Sequence, residues 1–218
     1  MRIKELFNKI LDAIFPKGII CNGCGKELTT DDGYSLCEKC KEEFVKVEES
    51  KANYDKTAVF SCYNYDKLVK KYVIAYKDGN SPYLSYYMAK AMAELFTKEK
   101  IECDLVCFVP SCKHVIRRRG YDAMKNIARF FAGMTNLPLE QKLERIKHPV
   151  DQTKLDFLQR KLAVKGNFTV EKDGYIDKKI LIVDDLVTSG ATINECSLSL
   201  KEIGGAKEVI ALTFARAV

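Results

Sequence analysis

Histidine is scarce in this chain of 218 residues: His114 and His148 are the whole supply, which argues against chemistry run by a histidine-based triad. No Walker-type glycine-lysine loop is present, so ATP-driven motor work would fall to a partner. No apolar run approaches the ~20 residues needed to cross a bilayer, and no transmembrane segment is expected. Glu5 and Asp12 interrupt the opening apolar stretch, breaking the core a signal peptide needs, and the chain is expected in the cytoplasm. Internal repeats are also lacking.

What remains is the make-up of an ordinary globular protein, with 47% hydrophobic and 30% charged residues. The length suits one medium domain with a small appendage. A net charge of +6 favours an anionic partner, although plain enzymes are often as basic. At the N-terminus Ile3, Leu6, Phe7, Ile10, Leu11, Ile14 and Phe15 recur at helical spacing. Such a stripe packs on the protein's own body or lies against a membrane surface or partner.

Cysteine is plentiful, with nine in a chain expected to lack an export signal. That argues for reduced thiols or metal ligation over disulfides. Four of them read Cys21-x2-Cys24-x12-Cys37-x2-Cys40. Each CxxC pair can present two thiolates to one side, and two pairs complete a tetrahedral site. The module is too small to fold on its own core, so a structural zinc would supply its stability. A redox role is the competing reading. Cys62, Cys103, Cys107, Cys112 and Cys196 have no metal-like grouping and read as core residues, with Cys112 alone near a candidate loop.

The most informative stretch runs from Ile180 to Thr192. Ile180, Leu181, Ile182 and Val183 form a branched apolar run, as in a strand buried on both faces of a parallel sheet. Asp184 and Asp185 stand where that strand is expected to leave the sheet. Thr188, Ser189, Gly190, Ala191 and Thr192 follow as a small-residue turn, then an amphipathic helix from Ile193 to Ile203. Ligands bind at the carboxyl ends of such strands. Unpaired amides at a helix start suit a phosphate, Gly190 permits close approach, and the hydroxyls add donors. The carboxylates are better placed a few ångströms away, accepting from sugar hydroxyls or holding a Mg²⁺ shell. Together the groups describe a site for a ribose 5-phosphate.

Strand patterns at Ala58–Tyr65, Asp104–Val109 and Val209–Leu212 alternate with helical ones at Pro82–Lys98 and around Met124, Ile127 and Phe131. This alternation predicts a parallel α/β sheet. The polar stretch Glu48–Lys56 marks the best boundary, dividing residues 1–50 from 51–218. After the second strand come Lys113, Arg117, Arg118, Arg119 and Gly120, a basic segment suited to an oligophosphate or a nucleic-acid backbone. Tyr121 beside it could stack on a base.

The Asp184–Thr192 run resembles the 5-phosphoribosyl 1-pyrophosphate (PRPP) loop of type I phosphoribosyltransferases. With the cysteine module, the chain from about Phe15 onward resembles the competence ComF family. Lys77-Asp78-Gly79 resembles the family's Lys-Tyr-x-Gly segment beside the substrate cleft, and Arg119-Gly120-Tyr121-Asp122 its Arg-Gly-Phe-Asn. Gln152, Leu155 and Arg160 follow a further family pattern, with Ala163 where an Asn is usual.

The resemblance implies a Rossmann-like type I phosphoribosyltransferase fold with an N-terminal helix and zinc ribbon. It implies Mg²⁺-dependent PRPP binding, with Asp184 and Asp185 at the ribose and residues 188–192 at the 5-phosphate. Lys77, Lys113 and Arg117–Gly120 would meet pyrophosphate or nucleic acid. Gln152 and Arg160 would belong to a mobile loop over the cleft. The implied role is in DNA uptake, holding single-stranded DNA and passing it to a competence helicase or recombination mediator. Phosphoribosyl transfer is possible chemistry for the site, and a nucleobase-salvage or amidophosphoribosyltransferase-like enzyme is the alternative.

Overall fold

A computed structural model of the chain describes residues 20–28, 35–78, 81–146 and 165–217. In chain order the elements are α1 (Glu38–Glu42), β1 (Lys51–Tyr54), β2 (Thr57–Asn64), α2 (Lys67–Lys77), α3 (Leu84–Lys98), β3 (Leu105–Phe108), α4 (Lys113–Arg119) and α5 (Ala123–Thr135). They continue with β4 (Leu143–Arg145), β5 (Phe168–Val170), β6 (Lys179–Val187), α6 (Ala191–Glu202) and β7 (Glu208–Arg216). The N-terminal stripe, Gly79, Gln152 and Arg160 lie outside the described residues.

The main sheet has the order β1-β2-β7-β6-β3. Its four inner and far strands run parallel, and β1 joins β2 antiparallel at one edge. At the other edge Val106 of β3 exchanges backbone hydrogen bonds with Pro138 and Glu140, which covers the strand. A separate ribbon pairs β4 with β5.

Side-chain alternation divides the core between the two faces of the sheet. Leu181, Val183, Val106, Phe108, Leu212 and Phe214 face α2, α3 and α5. Ile180, Ile182, Leu105, Cys107, Val209 and Ala211 face the other way, onto Ile193, Cys196 and Leu200 of α6. Because both faces are covered, the strand sequence is continuously apolar. Leu181, Ile182 and Val183 are completely buried, each stabilising the fold by roughly 1.5–3 kcal/mol. The parallel α/β sheet flanked by helices is therefore the architecture expected.

Two expectations change in detail, and one stretch gains an element. β6 runs on to Val187, so Asp184 and Asp185 lie within the strand and not beyond it. The long β7 keeps offering partners there: Asp184 registers with Thr213 and Val187 with Arg216. The basic segment after β3 is largely the helix α4, ended by Gly120 in the left-handed conformation at φ 84. The polar stretch 48–56 contains β1, whose alternating exposed and half-buried residues are those of an edge strand.

Candidate functional site at the carboxyl edge of the sheet

A cleft of about 500 Å³ opens at the carboxyl ends of β3 and β6, between α4, β4 and the start of α6. The sheet pleat sends the adjacent carboxylates of β6 to opposite sides. Asp185 meets Lys77, at the end of α2, with Nζ 2.5 Å from Oδ2. Asp66 fixes that helix at its start by accepting from the amides of Leu68 and Val69. Burial alone would weaken the Lys77 ammonium, but the Asp185 carboxylate outweighs it and the pKa rises.

Asp184 points the other way, and its Oδ1 accepts the Asp185 amide at 3.0 Å. Burial, followed by the Asp185 charge, lifts the Asp184 carboxyl to about 7. A perturbed acid in a cleft marks a candidate functional site.

The loop after β6 leads into α6. Gly190 caps the helix at φ 73, a left-handed conformation that glycine adopts without strain. The first-turn amides have no partner inside the helix and lie at the positive end of its dipole. Thr188 and Thr192 line the cleft.

The basic residues divide. Arg119 lines the cleft, its side chain only 11% exposed, and its guanidinium lies 3.8 Å from Asp78. Arg118 is 71% exposed and also faces Asp78, at 3.7 Å. Lys113 and Arg117 are exposed on α4. Lys77 is committed to Asp185. Tyr121 donates from its hydroxyl to the Tyr76 carbonyl and packs on the Tyr76 ring at 5.9 Å, a structural use of a ring that also reads as a base-stacking platform.

Arg145 was not singled out by the sequence, yet it lines the cleft beside Asp184, held over the Phe168 ring at 5.0 Å. Among the described residues, the Nε atoms of both Arg119 and Arg145 are buried without a hydrogen-bond partner. Ser111 enters as well, its hydroxyl 2.9 Å from Asp122. Cys112 also lines the cleft, but burial pushes its thiol up, opposite to what a reactive thiolate needs.

Away from the cleft, the sulfurs of Cys21, Cys24, Cys37 and Cys40 all lie within 4.8 Å of one another. The Cys24 and Cys37 sulfurs are 3.8 Å apart, which matches the edge of a tetrahedron with metal–sulfur bonds of ~2.3 Å. The amides of Gly23 and Cys37 both donate to Cys21 Sγ at 3.3 Å. Burial opposes ionisation of Cys21, but the surrounding amides prevail and bring it down to about 6. Cys40 moves upward through burial and the neighbouring thiols. Gly23 is required by space, since a Cβ there would lie 2.6 Å from Cys40 Sγ. Four converging thiols of this kind can bind a metal such as zinc.

Fold and site define a mostly parallel α/β protein with an acidic pair and small-residue loop at the sheet's carboxyl edge, joined to a four-cysteine cluster. Competence protein F of Haemophilus influenzae is 30% identical over 90 residues, which span 40% of this chain and 39% of that protein. Competence protein ComFC of Streptococcus pneumoniae is 26% identical over 210 residues, covering 87% of this chain and 91% of its own. The chain is thus similar to two competence proteins, which is consistent with the ComF resemblance of its motifs. Among solved structures, the glutamine PRPP amidotransferase from B. subtilis is 22% identical with a TM-score of 0.41, over 59% of this chain and 25% of that one. No protein-family model matches the chain. Among the described residues no helix is long and apolar enough to cross a membrane.

Proposed function

We propose that the cleft binds PRPP as its Mg²⁺ complex, and that the chain uses this site in DNA uptake. The observation that carries the reading is the pair of buried guanidinium Nε atoms, from Arg119 and Arg145, that lack a partner among the described residues and share the cleft with the acidic pair. Buried donors of this kind call for a partner. Lys77 is paired with Asp185 and Arg119 also faces Asp78, which leaves the two guanidinium Nε atoms as the donors that suit an anion.

In this reading the amides and hydroxyls of residues 188–192 take the 5-phosphate, and Asp184 and Asp185 accept from the ribose hydroxyls. Arg119 and Arg145 pair with the diphosphate at C1. Lys77 neutralises Asp185, which keeps two adjacent acids tolerable beside an anionic ligand. Mg²⁺, held by the diphosphate and the acidic pair, would supply charge neutralisation. If transfer occurs, an acceptor nucleophile bonds to C1 as the C1–oxygen bond to pyrophosphate breaks, the arginines stabilise the departing anion, and the carboxylates stabilise positive charge on the sugar.

Residues 51–218 form the donor-binding domain in this reading, and 1–50 its zinc-bearing appendage. The relatives named as competence proteins support a role in DNA uptake. The exposed Lys113, Arg117 and Arg118 form a solvent-facing basic edge next to the cleft, suited to a single-stranded backbone. Transfer of that strand to a helicase or recombination mediator completes the proposal.

Calorimetric titration with PRPP and Mg²⁺ tests the site. Saturable binding is expected, lost in the double variant Asp184→Asn, Asp185→Asn. Absence of binding to the wild type, or equal binding to the double variant, would overturn the reading.

A further inference from the structure

The β1–β2 hairpin reaches the phosphate loop from the edge of the sheet. Tyr54 pairs with Thr57, leaving Asp55 and Lys56 as the turn, with Asp55 at φ 50. The partly buried Tyr54 ring packs against the apolar cluster that contains Val59 and Ile193. Gly190 rests directly on it: a Cβ added there would lie 2.6 Å from both Cβ and Cγ of Tyr54. In the first turn of α6, Asn194 Nδ2 donates to Asp55 Oδ2 at 2.8 Å. The hairpin therefore grips the helix cap with a ring and the first helical turn with a carboxylate.

Among the described residues, the loop's own side chains add little bracing. Thr188 is exposed. The amide of Ala191 meets Ser189 Oγ only at 3.5 Å, and the helix itself leaves its first amides open. An anion site built from backbone amides depends on those amides already pointing at one place when the ligand arrives. A left-handed glycine is the flexible point in such a loop, and the Tyr54 ring removes that freedom by filling the space beside it.

We infer that Tyr54 and Asp55 are positioning residues for the 5-phosphate, acting through Gly190 and Asn194 without touching the ligand themselves. The inference rests on the PRPP reading of the cleft. It assigns a ligand-binding task to an edge strand at the opposite side of the sheet from β3. It also gives Gly190 a second reason to be glycine beyond its backbone angle.

The test separates the two ends of the ligand. PRPP with Mg²⁺, ribose 5-phosphate and Mg²⁺-pyrophosphate are titrated one at a time into the wild type, Tyr54→Ala, Tyr54→Phe and Asp55→Ala. Tyr54→Ala is expected to weaken ribose 5-phosphate by about tenfold while leaving pyrophosphate unchanged. Tyr54→Phe, which keeps the ring, restores wild-type affinity. Asp55→Ala, which leaves the ring and the core intact, shows a smaller loss confined to ribose 5-phosphate. If Tyr54→Ala does not fold, Asp55→Ala and Asn194→Ala carry the comparison. Equal loss of both ligands, or no loss of ribose 5-phosphate in any folded variant, overturns the inference. A wild type that binds PRPP while the variants bind equally well refutes the positioning role alone. A wild type that binds none of the three ligands refutes the cleft reading and this inference with it.

Discussion

Burial and the Asp185 charge keep a proton on Asp184 up to about pH 7, whereas the unfolded chain releases it near 3.8. Between those values the folded state binds more protons than the unfolded one, so stability from this group is fully present below about pH 4 and is lost as pH rises through 7. The variant Asp184→Asn, which retains an acceptor for the Asp185 amide, removes this dependence. Without ligand, its melting temperature should follow pH less steeply from 4 to 7. Above pH 7 it should exceed the wild type by at least ~2–4 °C, the equivalent of about 1 kcal/mol. Parallel pH profiles would contradict the assignment. Lys77→Met strands a carboxylate that is only 4% exposed and should cost about 3 kcal/mol in denaturant unfolding. Adding Asp185→Asn should recover most of that loss, and failure to recover it would mean the pair is not what Lys77 supports.

The acidic pair is plain in the sequence because it ends an apolar run, whereas Arg145 is silent. It sits in a polar stretch with no period, and only the cross-strand register Arg145↔Phe168 aims it into the cleft. Tyr54 is hidden for a similar reason, since its partner Gly190 lies far along the chain.

Among the elements, the four-cysteine module is the most legible, because metal geometry constrains spacing directly. Its packing is not legible: Cys21, Leu36 and Cys40 share a core cluster with Tyr72, Met88 and Phe214 of the main body. Metal loss should therefore disturb that interface as well as the module. Purified chain is expected to carry a single zinc by elemental analysis. Cys24→Ser, at the exposed member of the four cysteines, should lose it and lower the unfolding midpoint. A metal-free wild type with full stability would refute the structural role. β1 and α4 were harder to foresee. An edge strand needs only one covered face, so Lys51–Tyr54 lacks the apolar signal of β6. The basic run of α4 offers no apolar stripe, and no residue of that helix is buried. Its helical form follows from its position between the end of β3 and the left-handed Gly120.

Across the whole molecule, the parallel sheet brings the ends of β3 and β6 together, so a cleft forms from segments more than sixty residues apart, and the strand–helix alternation anticipates that edge. Charge is distributed unevenly around it. Arg119 turns into the cleft while Lys113, Arg117 and Arg118 face solvent, which in the proposed function separates two binding tasks by depth. Affinity for single-stranded DNA should fall steeply with salt, and Arg118→Ala should reduce the salt slope by about 1. PRPP affinity should be little changed in that variant but reduced in Arg119→Ala. A flat salt response would remove the nucleic-acid role and leave the cleft untouched.

The most direct measurement is a crystal structure of the chain with PRPP and Mg²⁺. The 5-phosphate should sit on the amides at Gly190–Thr192, the ribose hydroxyls on Asp184 and Asp185, and the diphosphate between Arg119 and Arg145. A cleft left empty at saturating PRPP, or a ligand bound with its phosphates away from residues 188–192, would contradict the assignment of this edge of the sheet as a ribose-phosphate site.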